Sequence, residues 1–255
     1  MAYPPGKFPC PFTLAAALLA LAGSAHAGHP LVSDDTGTQG SGHWQLEANT
    51  DHARVRDAGT TRREGMANAA LTYGATENLD VSINVPWLST GASGAPREHG
   101  IGDTTVLAKW RFFDDANGWS LGLRPEATLP SGSQSKGLGN GRATAALTLI
   151  STYASGPWTW LANAGLTYND NKAGERKQLW ATSAAMLFNA NDHWTLAANV
   201  GTNRAPSAGG GAEKFGLLGA IYHVSDAADI DLGWRHDLGP DTAADTLGAG
   251  LALRW

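Results

Sequence analysis

The sequence predicts an all-β fold: a twelve-stranded antiparallel up-and-down transmembrane β-barrel after an N-terminal signal peptide. Three observations support it. Apolar and polar residues alternate along many short stretches, which is the period of a strand with two unlike faces. Short and long connections alternate between these stretches. Aromatic residues concentrate at the strand ends beside the short connections.

The beginning of the chain predicts a secretory signal peptide at residues 1–27. It carries one charge, Lys7, followed by an apolar run, and it ends in Ala25-His26-Ala27, a small-x-small cleavage site. The chain's only cysteine, Cys10, lies within it, so we expect the exported protein to have no disulfide. Residues 28–42 are then predicted as an N-terminal periplasmic segment and residues 43–255 as the barrel.

Twelve segments have the strand pattern. The clearest is 79–88, where Leu79, Val81 and Ile83 alternate with polar residues. The segments 177–189 and 213–224 are apolar on both faces, so their phase stays open. Pro125 lies inside 118–129 and predicts either a bulge or a misplaced boundary. The predicted strands are 43–53, 65–75, 79–88, 104–113, 118–129, 142–154, 158–168, 177–189, 193–203, 213–224, 228–237 and 246–255.

The connections indicate how these strands are joined. Links from even-numbered to odd-numbered strands are tight, such as "TEN" at 76–78 and "SGP" at 155–157. Links from odd-numbered to even-numbered strands are long and rich in Gly and Ser, such as "PSGSQSKGLGNG" at 130–141. Bacterial outer-membrane barrels have this form, with short periplasmic turns and long external loops.

Aromatic placement predicts which face is outside, since a soluble barrel would turn the same apolar face inward. Ten of the twelve predicted strands carry an aromatic residue at the tight-turn rim. A membrane interface gathers aromatic residues in such a ring, whereas a soluble core does not. Trp255 also resembles the terminal signal read by the barrel assembly machinery. The predicted girdle includes Trp44, Trp119, Trp158, Trp194 and Trp255.

Charged residues recur on the polar faces of the predicted strands. A charge that faces lipid at mid-bilayer costs about 2–4 kcal/mol, so we expect these residues to face the lumen. Both a wet pore and a closed ion-pair network fit, although twelve strands enclose more space than the eight that side chains can fill. The expected lumen residues are Glu47, Asp51, Asp80, Lys109, Arg111, Arg124, Glu126, Arg142, Asp229, Asp231, Arg235, Asp237 and Arg254.

Several partner classes have no support in the sequence. The chain has 18 Lys and Arg against 23 Asp and Glu and no basic run, so it lacks the footprint of a nucleic-acid-binding protein. The His residues have no metal-ligand spacing, and Asp34 and Asp35 supply too few oxygen ligands for calcium. We expect no cofactor and no metal. The expected partners are outer-membrane lipids, the barrel assembly machinery and a small-molecule solute.

Four stretches resemble the phenol meta-pathway degradation family of outer-membrane transporters. The resemblance covers nearly all of the chain after the signal peptide. It implies a barrel that moves small organic compounds, aromatic ones by the family's name, and it carries over no catalytic or ligand residue. The stretches are "HPLVSDDTGTQGSGHWQLE" (29–47), "GIGDTTVLAKWRFF" (100–113), "PEATLPSG" with "KGLGNGR" (125–142) and "FGLLGAIYHVSD" (215–226).

Two other functions stay open. His223 and Ser225 have the His-x-Ser spacing of outer-membrane lipid hydrolases, in which His takes the Ser proton. The predicted topology places the pair at the periplasmic rim, whereas those enzymes meet lipid near the external leaflet, and a polar strand end accounts for both residues. The other function is a non-transporting barrel that displays its loops to partners.

The segment 28–42 is expected to fold back into the lumen from the periplasmic side. Fifteen extended residues reach about 50 Å, more than the barrel's apolar height of about 25 Å. Arg111 and Arg254, near the periplasmic ends of their strands, are expected to hold Asp34 and Asp35. The alternative is a frayed terminus.

Overall fold

A computed structural model describes residues 28–57, 60–92, 97–115, 117–172, 174–207, 209–238 and 242–255. The predicted signal peptide lies outside the described residues. The strands are β1 (Trp44–Asp57), β2 (Thr60–Thr76), β3 (Leu79–Ala92), β4 (Glu98–Ile101), β5 (Thr104–Asp114), β6 (Trp119–Leu129), β7 (Thr144–Ser155), β8 (Trp158–Tyr168), β9 (Gln178–Asn189), β10 (Trp194–Arg204), β11 (Ala212–Ser225), β12 (Ala228–Leu238) and β13 (Thr242–Arg254).

The strands form one closed antiparallel barrel. Each long strand pairs with its neighbours in sequence, β1 pairs with β13, and the β2–β3 pairing completes the ring. The short β4 pairs with the outer part of β3, while β5 pairs with the inner part of the same edge. β4 and β5 therefore together occupy one strand position in the barrel. The predicted twelve-stranded barrel is confirmed.

β4 and β5 are separated at Gly102, where their pairing with β3 shifts by one residue. Trp87 lies opposite Ile101, whereas Asn84 lies opposite Thr105, so β5 carries one extra residue before its pairing resumes. Such a bulge interrupts the alternation on which the strand prediction depends. The sequence pattern consequently placed β4 within a long connection.

The apolar face of the strands points outward, as predicted for a membrane barrel. On β3, the side chains of Val81, Ile83 and Trp87 are 43%, 44% and 49% exposed, whereas Asp80 is 1% exposed. In water these exposed apolar side chains would form an unfavourable surface, but a lipid environment favours them.

The strand β6 contains Pro125 without a bulge there. The β5–β6 register is the same on both sides of Pro125, and only the pairs opposite Ala108 and Lys109 are missing from the ladder. Pro has no N–H to donate, so the strand loses local hydrogen bonds and keeps its course. The expectation of a bulge or boundary at Pro125 is wrong; the shift lies in β5, between Arg111 and Phe113.

The short 3-10 helix Gln134–Lys136 lies in the connection between β6 and β7. In the described part of the chain, no helix has the length and apolar character needed to cross a membrane.

Candidate channel lumen

Residues 28–41 lie inside the barrel and follow its inner wall. The segment ends at the β2–β3 turn, where the hydroxyl of Thr38 donates to the carbonyl of Glu77 at 2.8 Å. Before that, its contacts run from strand to strand: His29 with Asp51 (β1) and Asp231 (β12), Val32 and Ser33 with Asn199 (β10), Asp34 with Asn163 (β8), Thr36 with Thr152 (β7) and Ser120 (β6), and Gln39 with Asp80 (β3).

An ion-pair cluster fixes the middle of this segment. The carboxylate of Asp34 lies 3.3 Å from Lys109 Nζ and 2.6 Å from Arg124 Nη1. Asp35 lies 3.7 Å from the same Lys109 ammonium. The side chains of Asp34 and Lys109 are 11% and 10% exposed, so the pair is poorly screened by water. The cluster ties the segment to β5 and β6.

The predicted partners of Asp34 are wrong. Arg111 donates to the carbonyl of Glu77 at 3.2 Å, and Arg254 lies 2.8 Å from a carboxylate oxygen of Asp229. The backbone around Asp34 is instead held by the side chains of Asn199 and Asn163, which lie in the middle of β10 and β8. Asp34 therefore lies further into the lumen than the periplasmic rim. It pairs with Lys109 and Arg124, in the middle of their strands, and not with basic residues at the strand ends.

An apolar cluster holds the start of the segment. Leu31 packs against buried side chains on the inner faces of four neighbouring strands, β8 to β11. Two of these strands, β9 and β11, are the ones whose phase the sequence left open, and the reason is that apolar residues face inward there as well as outward. The cluster consists of Leu161, Ala185, Leu187, Ala197 and Ile221.

The part of the opposite wall that lines the inner cavity, formed by β1 to β3, is mostly polar. Among the described residues, the amide oxygens of Asn49, Asn68 and Asn84 are buried without a hydrogen-bond partner. All three line a cavity of about 240 Å³ between this wall and the N-terminal segment. A buried amide oxygen without a partner is costly unless water or a ligand reaches it. The lumen is thus packed along β8 to β11 and contains a cavity beside β1 to β3.

Two further cavities adjoin this inner cavity along the same wall. The middle one, about 340 Å³, shares His29, Leu31, Val32 and Asn49 with it. The outer one, also about 340 Å³, shares Asp51 and Met66 with the middle cavity and reaches Leu138 of the β6–β7 connection. The three spaces follow one another from the external loops towards the periplasmic rim.

The structure places the predicted lumen residues on the inner face of the strands, with one exception. Arg142 precedes β7 and lies 3.1 Å from Asp170 in the next external connection, so its strand boundary was set two residues too early. Most of the others are paired with a segment residue or with each other. Besides the Asp34 cluster, the pairs are His29 with Asp51 and Asp231, Gln39 with Asp80, Arg111 with Asp114, Arg124 with Glu126, Arg235 with Asp237 and Arg254 with Asp229, while Glu47 lines the inner cavity.

His223 and Ser225 lie at the periplasmic end of β11. The imidazole of His223 lies 2.7 Å from a carboxylate oxygen of Asp229 through Nδ1 and 2.9 Å from the Thr195 hydroxyl through Nε2. The hydroxyl of Ser225 accepts the backbone N–H of Ala227 at 3.3 Å, in the β11–β12 turn. Both imidazole nitrogens are thus engaged with residues other than Ser225.

Aromatic side chains pair across strands at the tight-turn rim. The ring centroids lie 4.6 Å apart for Trp44 and Tyr73, and close contacts of 4.4 and 4.9 Å join Trp158 to Phe188 and Trp194 to Tyr222. Trp119, in the same rim, is 48% exposed. Trp255 exchanges two backbone hydrogen bonds with Trp44, at 2.9 and 3.1 Å.

Solved outer-membrane barrels share this architecture. The COG4313 outer membrane channel from Pseudomonas putida F1 aligns at TM-score 0.73 and 14% identity, over 87% of this chain and 98% of that one. The translocator domain of the autotransporter NalP from Neisseria meningitidis aligns at 0.56 and 11%, over 86% and 91% of the two chains. The NanC porin aligns at 0.57 and 8%, over 81% and 98%. At these identities the likeness is one of fold.

The comparison of sequences is more specific than that of structures. No curated protein matches the chain. The resemblance that the sequence motifs predict is confirmed by a family model that covers residues 27–255. The chain is an outer-membrane β-barrel that belongs to the family described as "Putative MetA-pathway of phenol degradation".

Proposed function

We propose that the protein is a passive outer-membrane channel for small organic solutes, which pass between the N-terminal segment and the β1–β3 wall. The observation that carries this proposal is the series of three adjoining cavities on that side of the lumen. They lead from the external loops past His29 to the inner cavity, while the β8–β11 side is closed by the Leu31 contacts.

The lining changes character along the course. The outer cavity includes the apolar side chains of Met66, Leu88 and Leu138, whereas the inner one is lined by amides and charges such as Asn68 and Lys109. Compounds with an apolar body and a polar group suit such a lining, because a pocket of mixed character orients both parts. The family's description points to phenol degradation, so small aromatic compounds are the class we propose.

The test uses two neighbouring alanines on β2. Ala70 lines the inner cavity, whereas the side chain of Ala69 points to the lipid on the other face of the strand. An indole at position 70 would occupy the conducting space, so Ala70→Trp should abolish most of the current in a planar bilayer. Ala69→Trp adds the same side chain to the membrane face and should conduct as the wild type does.

The same pair of variants tests solute passage directly. Proteoliposomes with wild-type protein should admit a small phenolic compound, and those with Ala70→Trp should admit it slowly. Equal uptake by wild-type, Ala69→Trp and Ala70→Trp proteins, all correctly folded, would contradict the proposed course of the solute.

We propose no catalytic role for His223 and Ser225. A hydrolytic serine needs a base aimed at its hydroxyl, and here Asp229 and Thr195 engage the imidazole. Replacement Ser225→Ala should therefore leave the lipid composition of the outer membrane unchanged. A changed lipid profile in cells with the folded variant would favour the hydrolase alternative.

A further inference from the structure

Four outward-facing side chains form a row across β12, β13, β1 and β2. The strand registers place His236 opposite Asp245, Asp245 opposite Arg54, and Arg54 opposite Arg63. On β1 the neighbouring residues Ala53 and Val55 belong to the inner face, so Arg54 faces outward. Arg56 and His52 flank Arg54 on the same outer face of β1.

The charges in this row are unbalanced. Asp245 receives a hydrogen bond from His236 Nδ1 at 2.8 Å and lies 3.7 Å from Arg56 Nη1. Within the described ranges, neither Arg54 nor Arg63 has a carboxylate within 4 Å. Both side chains are exposed. Like charges directly opposite each other on one face destabilise a strand pair, so this arrangement favours an anion placed between the two guanidinium groups.

The row lies just outside the apolar band that faces the lipid. The next outward-facing row towards the periplasmic side contains Trp234 and Leu247, which are 44% and 64% exposed. Two residues along a strand span about 7 Å. The arginines are therefore at the level of the lipid headgroups, and they lie on the side of the long loops, which is the external side in barrels of this kind.

We propose that Arg54 and Arg63 bind a phosphate group of a phosphorylated lipid headgroup in the external leaflet. A guanidinium presents a planar fork of donors that matches phosphate oxygens in pairs, and two such forks from adjacent strands bind one phosphate from two sides. Arg56, which lies 3.7 Å from Asp245, adds positive charge on the same outer face. The site belongs to the outer wall and is separate from the proposed solute course.

The experiment measures binding of diphosphoryl lipid A to the purified, folded barrel in detergent. The test variant is R54Q/R63Q. The matched control is R62Q, because Arg62 is adjacent in sequence, faces the lumen and pairs with Glu64 at 3.6 Å. We expect the wild type and R62Q to bind equally, and R54Q/R63Q to bind at least about tenfold more weakly, since charged hydrogen bonds are lost at two sites. Heat-modifiable migration on a gel verifies folding.

Further measurements distinguish the source of the phosphate and the role of the guanidinium geometry. The dephosphorylated lipid should bind the wild type at least about tenfold more weakly. Inorganic phosphate alone should bind much more weakly than the lipid; equally tight binding would make this a free-phosphate site and overturn the lipid assignment. R54K/R63K should bind between the wild type and R54Q/R63Q, and the single variants R54Q and R63Q test the site if the double variant misfolds. Unchanged affinity in the glutamine variants would overturn the proposal.

Discussion

Replacement of Asp34 by Asn tests how firmly the N-terminal segment is held in the lumen. The substitution keeps the side-chain shape but removes the charge that faces Lys109 and Arg124 at 3.3 and 2.6 Å. Lys109 keeps Asp35 at 3.7 Å, and Arg124 keeps Glu126 at 3.5 Å, so neither base is left alone.

The magnitude follows from this geometry. Removal of one partner of a buried ion pair costs about 3–5 kcal/mol. The remaining partners and the 24% exposure of Arg124 reduce this to about 2–3 kcal/mol. Because each 1.4 kcal/mol is a factor of ten, the ratio of released to docked segment should rise about 30- to 140-fold. The barrel itself should remain folded, since its strand pairing does not involve Asp34.

The assay is single-channel recording in a planar bilayer. Release of the segment should appear as a higher-conductance state that the Asp34→Asn variant visits far more often than the wild type. The matched control is Asp237→Asn, which removes another inner-face carboxylate but one that pairs with Arg235 and not with the segment. If both variants show the wild-type pattern of conductance states, the ion pairs of Asp34 do not hold the segment in place.

Other predictions concern assembly, selectivity and a turn. Trp255→Ala should lower the folded fraction in the outer membrane, because it removes an interfacial aromatic beside Trp44; a normal yield of heat-modifiable barrel would contradict this. The lumen should discriminate weakly by charge because acids and bases are mixed there, and a strongly selective reversal potential in a salt gradient would count against it. Hydrogen bonds from the backbone N–H groups of Trp119 and Asn117 lower the pKa of Asp115, so its ionised form stabilises the β5–β6 turn at neutral pH, and this contribution is lost as the pH falls through the lowered pKa. The protection of the Trp119 amide against exchange, relative to its intrinsic rate at each pH, should therefore persist in mild acid and fall as the pH drops through the lowered pKa, and Asp115→Ala should reduce this protection at every pH.

The strands and their order were predictable because both signals are local. Alternation fixes a strand, and a tight link such as that between Thr76 and Leu79 forces the next strand to pair with it. The bulge at Gly102 could not be anticipated, since one extra residue reads as part of a loop. The closure of β1 on β13 followed from the barrel form itself.

The interior was harder to predict because its contacts join distant parts of the sequence. The residue types on the inner faces were predictable, but their partners depend on how far Asp34 rises in the lumen, which Asn163 and Asn199 determine. The apolar inner faces of β9 and β11 could not be assigned from the sequence, because both faces of these two strands are apolar. Arg54 and Arg63 face each other because of the β1–β2 register. The sequence alone does not determine that register.

The central claim, that the barrel conducts beside its N-terminal segment, is tested most directly by the single-channel conductance of the wild type and of a variant that lacks residues 29–40. The deletion keeps the predicted cleavage site and removes the contacts from His29 to Gln39. The account predicts a small but measurable conductance for the wild type and a clearly larger one for the deletion variant. Absence of current in both correctly folded proteins would contradict a channel, and equal currents would contradict the role of the segment.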